Sequence, residues 1–239
     1  MFHSAARVSY TATVSRSTGR IIPYVVSTLE IVPDVAQRFA ALVATEQPRS
    51  IALSGGDTAR HCYELLATAD VDWSGVDVFF GDDRWVPVDD PDSNEGMARL
   101  AFLDQVLPRA VHSLRRAGDT PDAAAGAYDH LLRDAPPIDL VHLGLGPDGH
   151  TASLFPDSPA LDEADHLVVA TGDDRHPHRR LTFTFPAITR SRLAVFTIAG
   201  AEKREAFRRV RAGDTTAPAA RVRAERIIWI ADADAANDA

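Results

Sequence analysis

The sequence predicts an α/β fold: one Rossmann-like domain with a mostly parallel sheet flanked by helices. Three observations predict it. Short apolar runs alternate along the chain with stretches of helical periodicity. The apolar runs are continuous, as in strands buried on both faces. They stop abruptly at glycines and polar clusters, where the turns into right-handed crossover helices fall.

The elements follow in order. Residues 1–20 are polar and read as a loose start or an edge hairpin. Residues 21–27 (IIPYVVS) suit a strand, and Pro23 places it near an edge. Residues 35–45 carry the i, i+3, i+4 apolar spacing of a helix, which Pro48 ends. Residues 50–53 (SIAL) form a strand that stops at Ser54-Gly55-Gly56, and 58–69 are helical again. Residues 76–80 (VDVFF) form a buried strand ending at Gly81-Asp82. Residues 93–107 read as a helix with Ser93 or Asn94 at its N-cap, and the Ala-rich 121–133 as another. Residues 138–145 (IDLVHLGL), 167–170, 193–199 (LAVFTIA) and 227–230 (IIWI) are further strands. Residues 202–211 form a charged helix, and 231–239 an acidic tail expected to fray.

Composition bounds the function. The 239 residues are 45% hydrophobic and 25% charged, enough for one large core and ordinary for a globular protein, so residues 1–239 are expected to be a single domain. The net charge of −9 argues against nucleic acid as a partner, which needs a basic footprint. One cysteine, Cys62, permits no internal disulfide. No run of about 18 apolar residues suggests a membrane span, and no apolar segment near residue 1 suggests a signal peptide. A cytoplasmic location is therefore expected. Oligomeric state stays open between monomer and weak dimer. Of the 25 basic residues, 24 are arginine and one is lysine, Lys203. The bias is most simply genomic.

In a parallel sheet the ligand sits beyond the carboxyl ends of the strands. Residues 54–58 (SGGDT) join a strand to a helix, either as an anion cradle or as a tight turn capped by Asp57 or Thr58. Gly144, Gly146 and Gly149 spell G-x-G-x-x-G. A dinucleotide reading fails there, because Pro147 and Pro156 leave no room for the long helix it requires. The same loop holds His150 beside Asp148, a pairing suited to a general base. Asp82-Asp83-Arg84 is either a surface ion pair or a carboxylate and guanidinium facing a ligand. Arg179-Arg180 precedes an alternating segment that turns one guanidinium toward the cleft. Lys203 starts a helix, where its charge opposes the dipole and hints at an anionic partner. Arg204, Arg208, Arg209 and Arg211 read as a solvated helix face. His176 and His178 lack a third ligand, so no metal site is expected.

Together these segments resemble the 6-phosphogluconolactonase family, within the superfamily that includes glucosamine-6-phosphate deaminases. DLVHLGLGPDGHTASLFP is the most specific match; VFFGDDRWVPVDDPDSN and RLTFTFPAITRSRLAVFTIAGAEK support it, and IALSGGDTA is weaker. The resemblance spans residues 25–236. It implies hydrolysis of a sugar-phosphate lactone, with His150 activating water and Asp82 and Arg84 orienting base and substrate. It implies Arg180 and Lys203 as phosphate contacts and the loop of Gly55, Gly56 and Thr58 as part of the sugar-phosphate site. It implies no metal and no organic cofactor. The chain departs from the pattern at Asp57 and Ala59, at Asp83 where Glu is usual, and at Ser191. Two rivals are weighed. A deaminase/isomerase of the same fold would carry an acidic residue soon after His150, and TASLFP has none. A non-catalytic sugar-phosphate sensor would add a DNA-binding segment, for which residues 1–20 are too short.

Overall fold

The computed structural model describes residues 6–11, 26–172 and 177–237. Its strands are β1 (Ala6–Thr11), β2 (Val26–Ile31), β3 (Ser50–Leu53), β4 (Asp77–Phe80), β5 (Asp82–Arg84), β6 (Ala110–Val111), β7 (Leu140–Leu143), β8 (Val168–Thr171), β9 (Arg180–Phe183), β10 (Leu193–Ile198) and β11 (Arg226–Ala231). The longer helices are α1 (Val35–Glu46), α2 (Asp57–Leu66), α5 (Pro121–Asp134) and α7 (Arg204–Arg211). Shorter ones are α3 (Asn94–Ala98), α4 (Asp104–Val106), α6 (Phe185–Thr189) and α8 (Ala233–Ala236).

The main sheet runs β1-β2-β11-β10-β7-β3-β4-β6. Every pairing in it is parallel except that of β1 with β2. This is the predicted mostly parallel sheet. All six residues of β10 are buried, as continuous apolar runs covered on both faces should be. α1 and α2 pack side by side over β10. Local chemistry sets the helix starts. Asp34 caps α1 by accepting the Gln37 N–H at 2.8 Å, and Ser93 caps α3 by accepting the Gly96 N–H at 3.0 Å. Thr120 caps α5, with Pro121 in the first turn.

The strand order fixes where a ligand can bind. From β3 the chain moves outward to β4 and β6, and from β7 it moves the opposite way to β10 and β11. The crevice between the ends of β3 and β7 is therefore the topological switch point. The loop at 54–56 follows β3 and the loop at 144–150 follows β7, so both border this crevice.

The structure adds strands β5, β6 and β9 to those read from the sequence, and it differs at four of the elements that the sequence reading named. The strand expected at 21–27 is found at Val26–Ile31; Pro23 lies outside the described residues. It lies inside the sheet between β1 and β11, held by buried Leu29 and by Glu30 paired with Arg38. The strand read at 167–170 belongs to a second sheet, the antiparallel β5-β9-β8. The helix expected over 93–107 is present without interruption from Asn94 to Val106, but it is wound as a π-turn at Arg99–Leu103, with Leu100 exposed and Phe102 buried. The tail does not fray up to Ala236. Asp232 accepts the N–H groups of Ala235 and Gly200, both at 2.8 Å, and the caps that read as mere acidity nucleate α8.

Candidate active site

The Ser54 loop is built so that glycine is required. A Cβ on Gly55 would lie 1.9 Å from Asn94 Oδ1, and Gly56 has φ +95°. Gly56 is the N-cap of α2 and carries no side-chain cap, so neither Asp57 nor Thr58 fills that role. The opening amides of α2 are left without a side-chain partner, which suits an anion. Asp57 does not oppose this. Its carboxylate is 93% exposed and turns back to Arg60, 3.5 Å away. Ser54 is buried, and among the described residues its hydroxyl has no hydrogen-bond partner.

β5 carries Asp82, Asp83 and Arg84. Both aspartates are buried, so they are not a surface ion pair. Asp83 is an anchor: it accepts the N–H groups of Arg84 and Asn94, each at 2.7 Å, and of Glu95 at 3.0 Å. Burial pushes its carboxyl up to about 6, against the pull of those amides. Asp82 Oδ2 accepts from the Ser153 hydroxyl at 2.6 Å. Asn94 donates to the Asp82 carbonyl at 2.9 Å and accepts from the Arg84 guanidinium. Asn94 is thus the hub joining Gly55, Asp82 and Arg84. The sequence offered it only as a cap, and the cap is Ser93.

The 144–150 loop closes on itself. Gly146 donates to the His150 carbonyl at 2.8 Å, and Thr151 Oγ1 donates to the Gly144 carbonyl at 2.9 Å. A Cβ on Gly146 would lie 2.0 Å from His150 Nδ1. Instead of a helix, a short bridge of Thr151 with Leu154 follows, which is why the dinucleotide spacing has no dinucleotide geometry. His150 Nδ1 lies 2.6 Å from Asp148 Oδ1. Burial raises the Asp148 carboxyl, but hydrogen bonds from His150 outweigh it and hold it down to about 2. An ionised Asp148 keeps the proton on Nδ1 and leaves Nε2 as the basic nitrogen. Asp148 is the carboxylate touching His150; Asp82 reaches the loop through Ser153.

Arg180 opens β9 directly opposite Arg84. Its guanidinium stands over Phe155, 5.3 Å from the ring centre, and Phe155 lies 4.6 Å from the His150 ring. Burial lowers its pKa, while Asp82 pulls the other way. Its Nε is buried without a hydrogen-bond partner among the described residues. Arg179 points outward to Asp122, 3.5 Å away, so Arg180 is the guanidinium turned inward. His178 pairs with Asp92 at 3.0 Å, and His176 lies outside the described residues.

Contacts therefore join Gly55, Asp82, Arg84, the His150 loop and Arg180. Gly56 and Thr58 extend this group into the start of α2. Lys203 stands after Gly200 beyond the end of β10, half-buried; its main-chain N–H donates to the Gly200 carbonyl at 3.1 Å, and its ammonium makes no hydrogen bond or ion pair among the described residues. A groove of about 1450 Å³ beside α2 and the π-turn is lined by none of these residues.

The family model described as glucosamine-6-phosphate isomerases/6-phosphogluconolactonase matches residues 27–229. The chain belongs to this family. The 6-phosphogluconolactonase of a Synechocystis species is 41% identical over 218 residues, covering 85% of this chain and 90% of that protein. The 6-phosphogluconolactonase of a Nostoc species is 37% identical, covering 87% and 96%. The crystal structure of a 6-phosphogluconolactonase from Shewanella baltica superposes with a TM-score of 0.77 at 30% identity, covering 87% of this chain and 98% of that one. The family match takes in the loops at β3 and β7, β5 with β9, and Lys203. No helix among the described residues is long and apolar enough to cross a membrane.

Proposed function

We propose that the chain is a 6-phosphogluconolactonase. It hydrolyses the ester of 6-phospho-D-glucono-1,5-lactone to 6-phosphogluconate, in the pentose phosphate pathway. The observation that carries this reading is the Asp148–His150 pair at the switch point, in one cluster with Arg84 and Arg180.

His150 Nε2 takes a proton from water, and the water oxygen adds to the lactone carbonyl. The oxyanion that develops needs donors fixed in advance. Arg84, held by Asn94 beside buried Asp82, supplies them. The imidazolium then returns the proton to the departing ring oxygen, so one C–O bond forms and one breaks. Arg180, Lys203 and the amides of Gly55, Gly56 and Thr58 hold the phosphate and fix the carbonyl's approach. With His150 as the base and Arg84 facing the oxyanion, the proposed step is complete as written, and the proposal names no metal and no organic cofactor. The domain is taken as 1–239 and its site of action as the cytoplasm, since a charged sugar phosphate does not cross a bilayer unaided.

One detail favours lactonase over deaminase. The group packed on the His150 ring is Phe155, and the first carboxylate after His150 is Asp157, in a left-handed turn at φ 63°.

The purified chain is expected to accelerate 6-phosphogluconolactone hydrolysis well above the spontaneous rate and to release no ammonia from glucosamine 6-phosphate. Lactone loss at the spontaneous rate at neutral pH would overturn the proposal. Lys203→Ala is expected to raise KM for the phosphorylated lactone roughly 10- to 100-fold, the scale of a charge-assisted hydrogen bond of about 1.5–3 kcal/mol. KM for unphosphorylated gluconolactone should not move. Equal weakening of both would remove Lys203 from the phosphate site.

A further inference from the structure

Four arginines on or at the start of α7 read in the sequence as a solvated face. The structure ties Arg204 and Arg211 to carbonyls of α8, and it corrects the reading furthest at Arg209. Arg208 lies flat on the surface against Glu205, at 2.7 Å. Arg209, one residue on, spreads its guanidinium over three acceptors. Nε donates to Asp214 Oδ2 at 2.9 Å, Nη2 to Thr216 Oγ1 at 2.8 Å, and Nη1 to the main-chain carbonyl of Asp148 at 3.2 Å. The Thr216 hydroxyl donates a hydrogen bond to Asp214 Oδ1 at 2.6 Å, so the turn at 214–216 is closed around the arginine. Just beyond this turn, at Ala217 and Ala219, the chain presses against the His150 loop. Ala219 donates to the Gly149 carbonyl at 3.0 Å, and a Cβ on Gly149 would lie 2.6 Å from the Ala217 methyl.

Two consecutive carbonyls of the loop, Asp148 and Gly149, are therefore held from α7 and its following turn. The peptide units between them carry both the carboxylate and the imidazole of the pair. Nothing else ties α7 to that peptide by hydrogen bond among the described residues. A monodentate cation could not do this, because the three acceptors need the planar fork of a guanidinium.

We propose that Arg209 is a positioning residue for the general base: its guanidinium locks the Asp148 peptide against α7 and the 214–219 turn, and so aims Asp148 at His150 Nδ1. It touches neither substrate nor reacting atoms. The inference rests on the hydrolytic reading above only for its kinetic arm.

The test compares wild type with Arg209→Met, Arg209→Lys and Thr216→Val. Arg209→Met is expected to lower kcat about tenfold or more, within the roughly 100-fold that a displacement of ~1 Å costs, and to leave KM within about twofold. Nitrogen-15 spectra of the His150 ring should pass from one Nδ1-protonated tautomer to a mixture. Arg209→Lys should give the same mixture, since a single ammonium cannot replace the fork. Thr216→Val loosens the turn but keeps the contact to Asp148, and should retain the wild-type ring spectrum. If Arg209→Met or Arg209→Lys only lowers Tm, with kcat and the ring tautomer unchanged, the arginine is a structural staple and the proposal is wrong. Should Arg209→Met not fold, Arg209→Lys decides alone. If wild type proves not to be a lactonase, the ring spectra still decide the positioning role.

Discussion

Replacing His150 by alanine is expected to lower kcat for lactone hydrolysis by about 10²- to 10⁴-fold, the contribution of a positioned general base, and to leave the fold intact. The fold survives because the loop does not hang on the ring. The main-chain bond from Gly146 to residue 150, the Thr151 bond to Gly144 and the Ser153 bond to Asp82 all persist in an alanine variant. KM should change little, because Arg180, Lys203 and the loop at 54–58 are untouched. Thermal unfolding and kcat measured on one preparation separate the two effects; an unchanged kcat would remove His150 as the base. A second signature lies in acid. The Asp148 carboxyl is held down to about 2 by the His150 bonds, below its ordinary value of 3.8. A depressed carboxylate contributes stability that is fully present above about pH 4 and is lost as pH falls toward 2. His150→Ala removes most of that contribution, so the stability of wild type should fall toward the variant's across that window. A constant gap between them down to pH 2 would show that the pair is not formed in solution.

Much of this site is legible in the sequence, and the physics says which parts. β3, β7 and β10 are short apolar runs ended by glycine or polar clusters, and a buried parallel strand must look like that. Their loops were correctly located for the same reason. The 144–150 loop is local: its glycines, Asp148 and His150 lie within seven residues, so spacing alone brings the carboxylate to the ring. What spacing cannot supply is contact between distant segments. Asn94 meets Gly55 and Asp82 across 39 and 12 residues, and Arg209 meets Asp148 across 61. β5 is three residues of two acids and one arginine, which no propensity marks as a strand. It becomes one because β9 pairs with it and the Asn94 and Glu95 amides satisfy Asp83. The tail misled in the opposite direction. Its aspartates look like solvated charge, yet Asp232 is a cap and Ala235 and Ala236 are buried. Spacing alone does not show that the Asp57 carboxylate, beside the glycine loop, turns back to Arg60.

Tyr63→Phe is expected to cost more stability than the loss of one hydroxyl suggests. The Tyr63 oxygen accepts the Ser54 N–H at 2.8 Å and lies 2.8 Å from His142 Nδ1. His142 Nε2 in turn lies 2.8 Å from Thr197 Oγ1. His142 is wholly buried, stacked on Phe39 at 4.1 Å, and burial pushes its ring down to about 3, so it is neutral at every working pH. A neutral imidazole has one donor and one acceptor. The tyrosine has a single proton, and the shorter of its two acceptor distances is to His142 rather than to the Ser54 carbonyl at 3.1 Å. Tyr63 then donates to Nδ1, and Nε2–H donates to Thr197. Removing the hydroxyl strands a buried main-chain N–H and a buried ring nitrogen at about 1–3 kcal/mol each. For a chain of this size each kcal/mol lowers Tm by about 2–4 °C. His142→Leu should be milder, because Tyr63 then turns its proton to the Ser54 carbonyl and leucine keeps the apolar contact with Phe39. The double variant should be less destabilised than the sum of the singles, since the stranded ring nitrogen is gone. A Tyr63→Phe effect within about 0.5 kcal/mol of zero, the range of inconsequential surface changes, would sink this account. Function should register it too. Ser54 is the first residue of the glycine loop, so loosening its amide should raise KM for the phosphorylated lactone while kcat, set at His150 across the crevice, holds.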